Sequence, residues 1–128
     1  MPSAIVPKGE KNAKQTITPV VRLTLVTDRK FFGPGAARLL KLIESSGSIK
    51  QACAEMGMSY TKARRIVALV ESELGCAIVS SRQGGQHGST SVLTDVGREL
   101  LERYETFEAE CKILIKEAFA KNFNGFIC

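Results

Sequence analysis

The sequence of 128 residues predicts a mainly α fold with a small β component. Three observations support this class. Apolar residues recur at helical spacing from residue 36 to residue 74, two short strand-like runs flank a glycine-rich stretch at residues 82–88, and a long helical pattern follows from residue 95. A chain of this length forms one ordinary domain around a single core.

Positive charge is concentrated in the first half of the chain. The net charge is +5, but residues 1–65 carry twelve Lys and Arg against four acidic residues, a balance of +8, while residues 66–128 carry six against nine, a balance of −3. An anionic partner is therefore expected to contact the first half.

The cysteines and the single histidine, His87, do not have the spacing of a metal site. We therefore expect no zinc and no cofactor. No apolar run reaches the length of a signal peptide or a membrane span, so a cytoplasmic location without membrane contact is expected. Cys53 and Cys76 are expected to be packed thiols, and a redox role stays open for Cys111 beside Lys112. The four cysteines are Cys53, Cys76, Cys111 and Cys128.

The first 19 residues mix Pro, Gly, Lys, Asn and Gln without periodicity and are predicted to form a flexible tail. A strand is expected to begin at Val20, because apolar and other side chains alternate through Val26. Residues 28–32 then lead to a predicted turn at Gly33-Pro34-Gly35. The tail lysines could contact phosphates or only solvate the tail; they are Lys8, Lys11 and Lys14.

Three helices are predicted between Gly35 and Gly75. The first has an apolar face of Ala36, Leu39, Leu40 and Ile43 and is ended by Ser45-Ser46-Gly47. Ser48 is a suitable N-cap for a short second helix that Gly57 ends. Ser59 caps the third, which runs to about Leu74 with an apolar face of Ala63, Ile66, Val67, Val70 and Leu74.

The second and third helices, separated by Gly57-Met58-Ser59, have the outline of a helix-turn-helix. At about 100° per residue, Thr61 and Arg65 point directly away from the apolar face of the third helix. Hydroxyl and cationic donors in these first turns are typical of a helix that contacts base edges and phosphates, although they could also be a solvated face. The candidate DNA-binding residues here are Ser59, Tyr60, Thr61, Lys62, Arg64 and Arg65.

A β-hairpin is predicted directly after the basic helix. Residues 77–81 and 90–93 read as strands on either side of the glycine-rich loop. A phosphate-binding P-loop would need G-x-x-x-x-G-K-[ST], which the loop lacks. A hairpin in this position is a wing, whose glycines allow close approach to a phosphate backbone. Its candidate residues, which could equally be loop residues without contacts, are Arg82, Gly84, Gly85, Gln86, His87 and Ser89.

The last segment is predicted to form one long helix, from Asp95 after the N-cap Thr94 to about Asn122. Apolar residues along it alternate at spacings of four and three, as in a coiled coil. A small body cannot cover a face this long, so homodimerisation is expected; the alternative is a helix that packs wholly on its own core. The predicted dimerisation residues are Leu100, Tyr104, Phe107, Cys111, Leu114 and Ala118.

Two segments carry a resemblance to a known family: GSIKQACAEMGMSYTKARRIVALVESELG at residues 47–75 and SRQGGQHGSTSVLTDVGRELLERYETFE at residues 81–108. Over residues 20–120 the chain resembles the N-terminal DNA-binding domain of ModE-type, molybdate-responsive transcriptional regulators. The LT-x-x-G pattern is also shared with LysR-type winged helices. The chain differs from the family at Arg64, where an aromatic residue is common, and in the wing after Gly85.

The resemblance implies a winged helix-turn-helix that binds DNA. Full-length members append oxyanion-binding domains that this chain does not match, so molybdate binding is not expected of it.

The function expected from these residues is a homodimeric transcription regulator that reads an inverted repeat in double-stranded DNA. A winged-helix scaffold for protein assembly is the alternative. An enzyme is not expected, because no nucleophile is paired with a base. The predicted organisation is a tail at 1–19, a winged helix-turn-helix at 20–93, a dimerisation helix at 94–122 and a C-terminal tail at 123–128.

Overall fold

The structure is a computed structural model that describes residues 16–84 and 88–126. Within these residues, four helices and two small antiparallel sheets follow each other, which confirms a mainly α fold with a small β component. In order, the elements are β1 Leu25–Val26, β2 Lys30–Phe32, α1 Pro34–Ser46, α2 Ile49–Met56, α3 Tyr60–Leu74, β3 Val79–Gly84, β4 Gly88–Leu93 and α4 Asp95–Asn122.

The bounds of α2 and α3 confirm the helix boundaries predicted from the sequence. The Ser48 hydroxyl accepts a hydrogen bond from the Gln51 N–H, and the Ser59 hydroxyl accepts one from the Lys62 N–H. Gly57 ends α2 at φ 71°, a left-handed conformation that glycine adopts without a steric cost. The start of α1 differs from the prediction: the helix begins at Pro34 instead of after Gly35, because proline lacks the N–H that the first helical turn leaves unpaired.

The N-terminal strand is much shorter than predicted. Only Leu25–Val26 pair with β2, and residues 16–24 have no regular secondary structure. The three residues of β2 provide too few backbone partners for a strand that begins at Val20. The alternating pattern still places Leu23 and Leu25 against the core, and the Leu23 carbonyl accepts a hydrogen bond of 2.9 Å from the Tyr104 hydroxyl.

Helix α1 lies at the centre of the core. It contacts the other three helices, β2 and β4, and its Leu39, Leu40 and Ile43 are completely buried. Cys53 on α2 is buried as predicted, whereas Cys76 is exposed, because it lies in the turn after α3 and not on an apolar face. The other large, fully buried side chains are Phe32, Val70 and Ile78.

The β3–β4 hairpin begins later and extends further than predicted. Ala77 and Ile78 precede β3, because the Ala77 carbonyl accepts from the Thr94 hydroxyl and the Ile78 carbonyl from the Thr94 N–H. Beyond residues 81 and 90 the two strands continue to a last pair, Gly84 opposite Gly88. The hairpin is attached to the helices through the Ser91 N–H, which donates to the Gly47 carbonyl.

Helix α4 is 28 residues long, and only its first half packs on the core. Tyr104 lies in that half, is buried, and meets the ring of Phe32 edge-on at a centroid distance of 5.0 Å. The assignment of Tyr104 to the dimerisation face was therefore wrong, because Phe32 and Leu23 of the same chain cover it. Within residues 16–84 and 88–126, no helix is long and apolar enough to cross a membrane.

Candidate nucleic-acid interface

The N-terminal half of α3 presents a polar, cationic face to solvent. Ala63, Val67 and Val70 bury the opposite face in the core. This anchoring leaves exposed the candidate residues that the sequence analysis assigned to this helix and its cap: Ser59, Tyr60, Thr61, Lys62, Arg64 and Arg65. The helix thus brings the predicted side chains together on the outside of the molecule.

The cations on this face have no carboxylate partner within 4 Å among the described residues. Two cations on α1 and α4, by contrast, do have carboxylate partners: Arg98 pairs with Glu44 at 3.0 Å, and Lys41 pairs with Glu105 at 2.9 Å. The hydrogen bond that Lys41 donates to Glu105 raises the pKa of Lys41, and the one that Arg98 donates to Glu44 raises the pKa of Arg98. Lys41 and Arg98 are therefore each paired with a carboxylate, whereas Lys62, Arg64 and Arg65 on the outward face of α3 are not paired with one in the described part of the chain.

A cleft of about 380 Å³ separates the start of α3 from the hairpin. Its polar lining comes from four elements: α2, α3, β3 and β4. The Arg64 guanidinium lies over the Tyr60 ring at 6.0 Å from its centroid, which holds this cation at the side of the cleft. The polar and aromatic lining residues are Lys50, Tyr60, Arg64, Ser81, Arg82 and Ser91.

Lys50 is a further cation of this cleft, and the sequence pattern did not indicate it. It lies in the first turn of α2, two residues after the N-cap Ser48. The available signal was its position at the start of the first helix of the predicted helix-turn-helix, because helix N-termini often contact phosphates. Its proximity to Arg82, 32 residues further along the chain, follows only from the folded arrangement.

The predicted wing residues are partly within the described structure. Arg82 is exposed on β3 opposite Thr90, and the backbones of Gly84 and Ser89 belong to the hairpin. Gly85, Gln86 and His87 lie outside the described residues. The structure thus places the base of the hairpin beside α3.

The distal half of α4 exposes apolar side chains. Of the predicted dimerisation residues, Phe107, Leu114 and Ala118 are exposed, Cys111 is half-buried, and Leu100 packs against the core. A groove of about 1030 Å³ runs along the same helix past Leu100 and Phe107.

An aromatic cluster lies at the C-terminal end of α4 and was not predicted. Phe119 stacks on Phe123 at a centroid distance of 4.8 Å, and Phe126 meets Phe123 edge-on at 5.7 Å. The spacing of four residues between Phe119 and Phe123 was the signal for it. Among the described residues no three His, Cys, Asp or Glu side chains are grouped so as to hold a metal ion.

Comparison with known proteins gives several curated relatives. No protein-family profile matches the chain. The molybdenum-pterin-binding protein MopB of Rhodobacter capsulatus is 34% identical over 102 residues, which is 78% of this chain and 37% of MopB. The DNA-binding transcriptional dual regulator ModE of Escherichia coli and the transcriptional regulator ModE of Shigella flexneri are each 34% identical over 86 residues, 66% of this chain and 33% of ModE. The chain spans about a third of the length of these relatives. Over that part it is a homologue of transcriptional regulators and of a molybdenum-pterin-binding protein, which supports the resemblance to ModE-type regulators.

Proposed function

We propose that this protein is a sequence-specific, DNA-binding transcriptional regulator that acts as a homodimer. In this proposal α2 and α3 form a helix-turn-helix, α3 enters the major groove, and the β3–β4 hairpin is a wing on the backbone or in the minor groove. The observation that carries it is the outward face of α3, whose cations have no carboxylate partner among the described residues. The names of the ModE relatives add independent support.

Thr61 and Arg65 are the proposed base-reading residues, because they lie opposite the buried face of α3. Arginine can donate two hydrogen bonds to the O6 and N7 atoms of guanine, and threonine can donate to or accept from several bases. Lys62, on the flank of the same helix, is suited to a phosphate as a point charge. A scaffold that binds only proteins has no need for this set of donors.

The exposed side of α4 is the proposed dimer interface. Phe107, Leu114 and Ala118 form an apolar stripe there that the rest of the described chain leaves exposed. Two copies related by a twofold axis would place their α3 helices on successive turns of the major groove, about 34 Å apart. The expected operator is therefore an inverted repeat.

Location and ligands complete the proposal. We place the protein in the cytoplasm, where DNA and reducing conditions are found. Neither molybdate nor a pterin is included, because the chain spans only 37% of MopB, the relative whose name states that ligand.

Selection from a library of random duplexes tests this function. The full chain is expected to enrich an inverted repeat, and the Thr61→Ala and Arg65→Ala variants are expected to lose that enrichment while they keep salt-sensitive, non-specific binding. If the wild-type protein binds no duplex at about 100 μM and low salt, where non-specific contacts alone should be detected, the function is not DNA binding.

The alternative is a protein-assembly scaffold, which the exposed apolar residues of α4 favour. Ile113 is 59% exposed and Leu114 is 63% exposed, and both are suited to contact with another protein. The same selection separates the two functions, because a scaffold would enrich no duplex.

A further inference from the structure

We propose that the cleft between α2, α3 and the hairpin is an oxyanion site that holds one phosphate of the DNA backbone. This inference rests on the proposed function and adds to it a single phosphate position that is separate from the base-reading residues. Its cationic groups are Lys50, Arg64 and Arg82, and its hydroxyl groups are those of the hydrogen-bonded pair Ser81 and Ser91.

The charge of the cleft favours an anion from outside the described chain. Three cations line one concave surface, and no described carboxylate lies within 4 Å of any of them. Like charges in one cleft repel each other, and an oxyanion between them removes that repulsion and accepts charge-assisted hydrogen bonds. At roughly 30 Å³ per water molecule, the cleft of about 380 Å³ can hold a phosphate group together with some of its hydration.

The walls of the cleft are fixed before any ligand arrives. Ser91 is buried, its N–H donates to the Gly47 carbonyl at 2.8 Å, and its hydroxyl is 2.9 Å from that of Ser81. These bonds hold the hairpin against the α1–α2 junction. Arg64 is held over the ring of Tyr60. The backbone around the cleft is therefore in place before the anion binds, whereas the exposed Lys50 and Arg82 side chains lose rotamer freedom on binding.

The position of the cleft matches a backbone at the edge of the major groove. Arg64 lies about 100° around α3 from the buried face, on the side of the hairpin, whereas Thr61 and Arg65 point outward. If α3 enters the groove with its outward face, a sugar-phosphate backbone borders that flank. The first turn of α2 also lines the cleft, and the partial positive charge at a helix N-terminus favours an anion.

Salt dependence of DNA binding measures how many phosphates these cations contact. For B-DNA, log K falls with log[salt] by a slope of about 0.9 per phosphate neutralised. We would compare the wild-type chain with K50Q, R64Q, R82Q and the triple variant on one duplex by fluorescence anisotropy. R38Q, an exposed arginine on α1 away from the cleft, is the matched control.

If the three cations hold one phosphate, the triple variant is expected to lower the slope by about 0.9 in total, and R38Q to leave it unchanged. The affinities for different sequences should fall by the same factor, because a phosphate contact carries no sequence information. A loss of about 2.7 in the slope would mean three separate phosphates and would overturn the single site. An unchanged slope would show that the cleft does not touch DNA, although the proposed function would stand.

Inorganic phosphate is the second probe and separates the two sources of the oxyanion. If the wild-type chain binds no duplex, the proposed function and the DNA occupant both fail. In that case the Tm is measured with and without inorganic phosphate. If phosphate raises the Tm of the wild type and of R38Q, but not of the triple variant, the cleft is an oxyanion site for a free anion. If the Tm of the wild type, R38Q and the triple variant responds to phosphate in the same way, the oxyanion site itself is overturned.

Discussion

The carboxylate of Glu71 on α3 accepts a hydrogen bond of 2.9 Å from the backbone N–H of Ile78, at the entrance to the hairpin. The same oxygen accepts a second bond, of 3.2 Å, from the Val79 N–H. The proposed base-reading helix and the proposed wing are thus joined by one side chain. Their relative orientation, which decides whether both can contact one duplex, depends on this residue.

Glu71→Ala is expected to lower the free energy of unfolding by about 1.5–3 kcal/mol, the range for a lost hydrogen bond to a charged acceptor. Glu71→Gln keeps an acceptor oxygen and should lose less. Urea unfolding followed by circular dichroism measures both. Glu55→Ala, which removes an exposed carboxylate from α2, is the control and should leave the stability unchanged. A Glu71→Ala protein as stable as this control would contradict the role given to Glu71.

Gly97 marks the closest approach between α4 and the hairpin entrance. A Cβ atom at this position would collide with the backbone carbonyl of Ile78, which is held by the Thr94 N–H and cannot move freely. Gly97→Ala is therefore expected to cost about 1–3 kcal/mol, the range for overpacking. Thermal unfolding checks this value.

Gly35→Ala is the matched control for Gly97→Ala. Gly35 also lies inside a helix, but nothing lies within 4 Å of a Cβ built there. Because alanine favours a helix over glycine, this change should raise the stability by up to about 1 kcal/mol. Equal effects of the two substitutions would show that the close approach to Ile78 has no cost.

Because of Tyr104, the free energy of unfolding is expected to depend on pH in the alkaline range. Burial raises the pKa of the Tyr104 phenol above its ordinary value of 10.0, and the neutral hydroxyl donates to the Leu23 carbonyl. The folded state therefore holds the proton more tightly than the unfolded state, and this contribution is complete below about pH 10 and is lost as the pH rises further. Tyr104→Phe removes the titrating group.

Stability measured by urea unfolding between about pH 9 and pH 11 tests this contribution. The wild-type protein should lose more free energy of unfolding over this range than Tyr104→Phe, which starts about 1 kcal/mol less stable because one hydrogen bond is gone. Parallel pH profiles for the two proteins would contradict the assignment of the buried phenol.

The dimer interface is tested by changing one exposed residue on each side of α4. Leu114→Glu places a charge in the proposed apolar stripe and is expected to give a monomer at concentrations where the wild type is a dimer. Lys116→Glu lies about 200° around the helix from Leu114 and should leave the dimer intact. Sedimentation equilibrium gives the masses. A wild-type monomer, or dimers in both variants, would show that this face is not the interface.

The local boundaries of the helices could be predicted from the sequence, because the groups that end a helix are close together in the chain. Ser48 and Ser59 cap with their own side chains, and Gly57 needs no distant contact to be left-handed. The outward direction of Arg65 also follows from the helical repeat alone. These features depend on a few neighbouring residues.

Features that join distant segments could not be predicted in this way. Tyr104 has the spacing of an interface residue, but Phe32 and Leu23, more than 70 residues earlier, enclose it. Lys50 and Arg82 lie in one cleft only because the hairpin is attached to the α1–α2 junction. The extent of a strand likewise depends on the length of the strand that it pairs with. Because β2 is short, only two residues of the N-terminal strand, Leu25 and Val26, are paired.

The most direct test of the central claim is the ratio of affinities of Arg65→Ala for the enriched duplex and for a scrambled duplex, measured by fluorescence anisotropy. If Arg65 reads a base, this ratio should fall about tenfold relative to the wild type, in line with a loss of about 1–3 kcal/mol of discrimination, while Arg38→Ala keeps the wild-type ratio. An Arg65→Ala protein with an unchanged ratio would contradict the claim that the outward face of α3 reads DNA sequence.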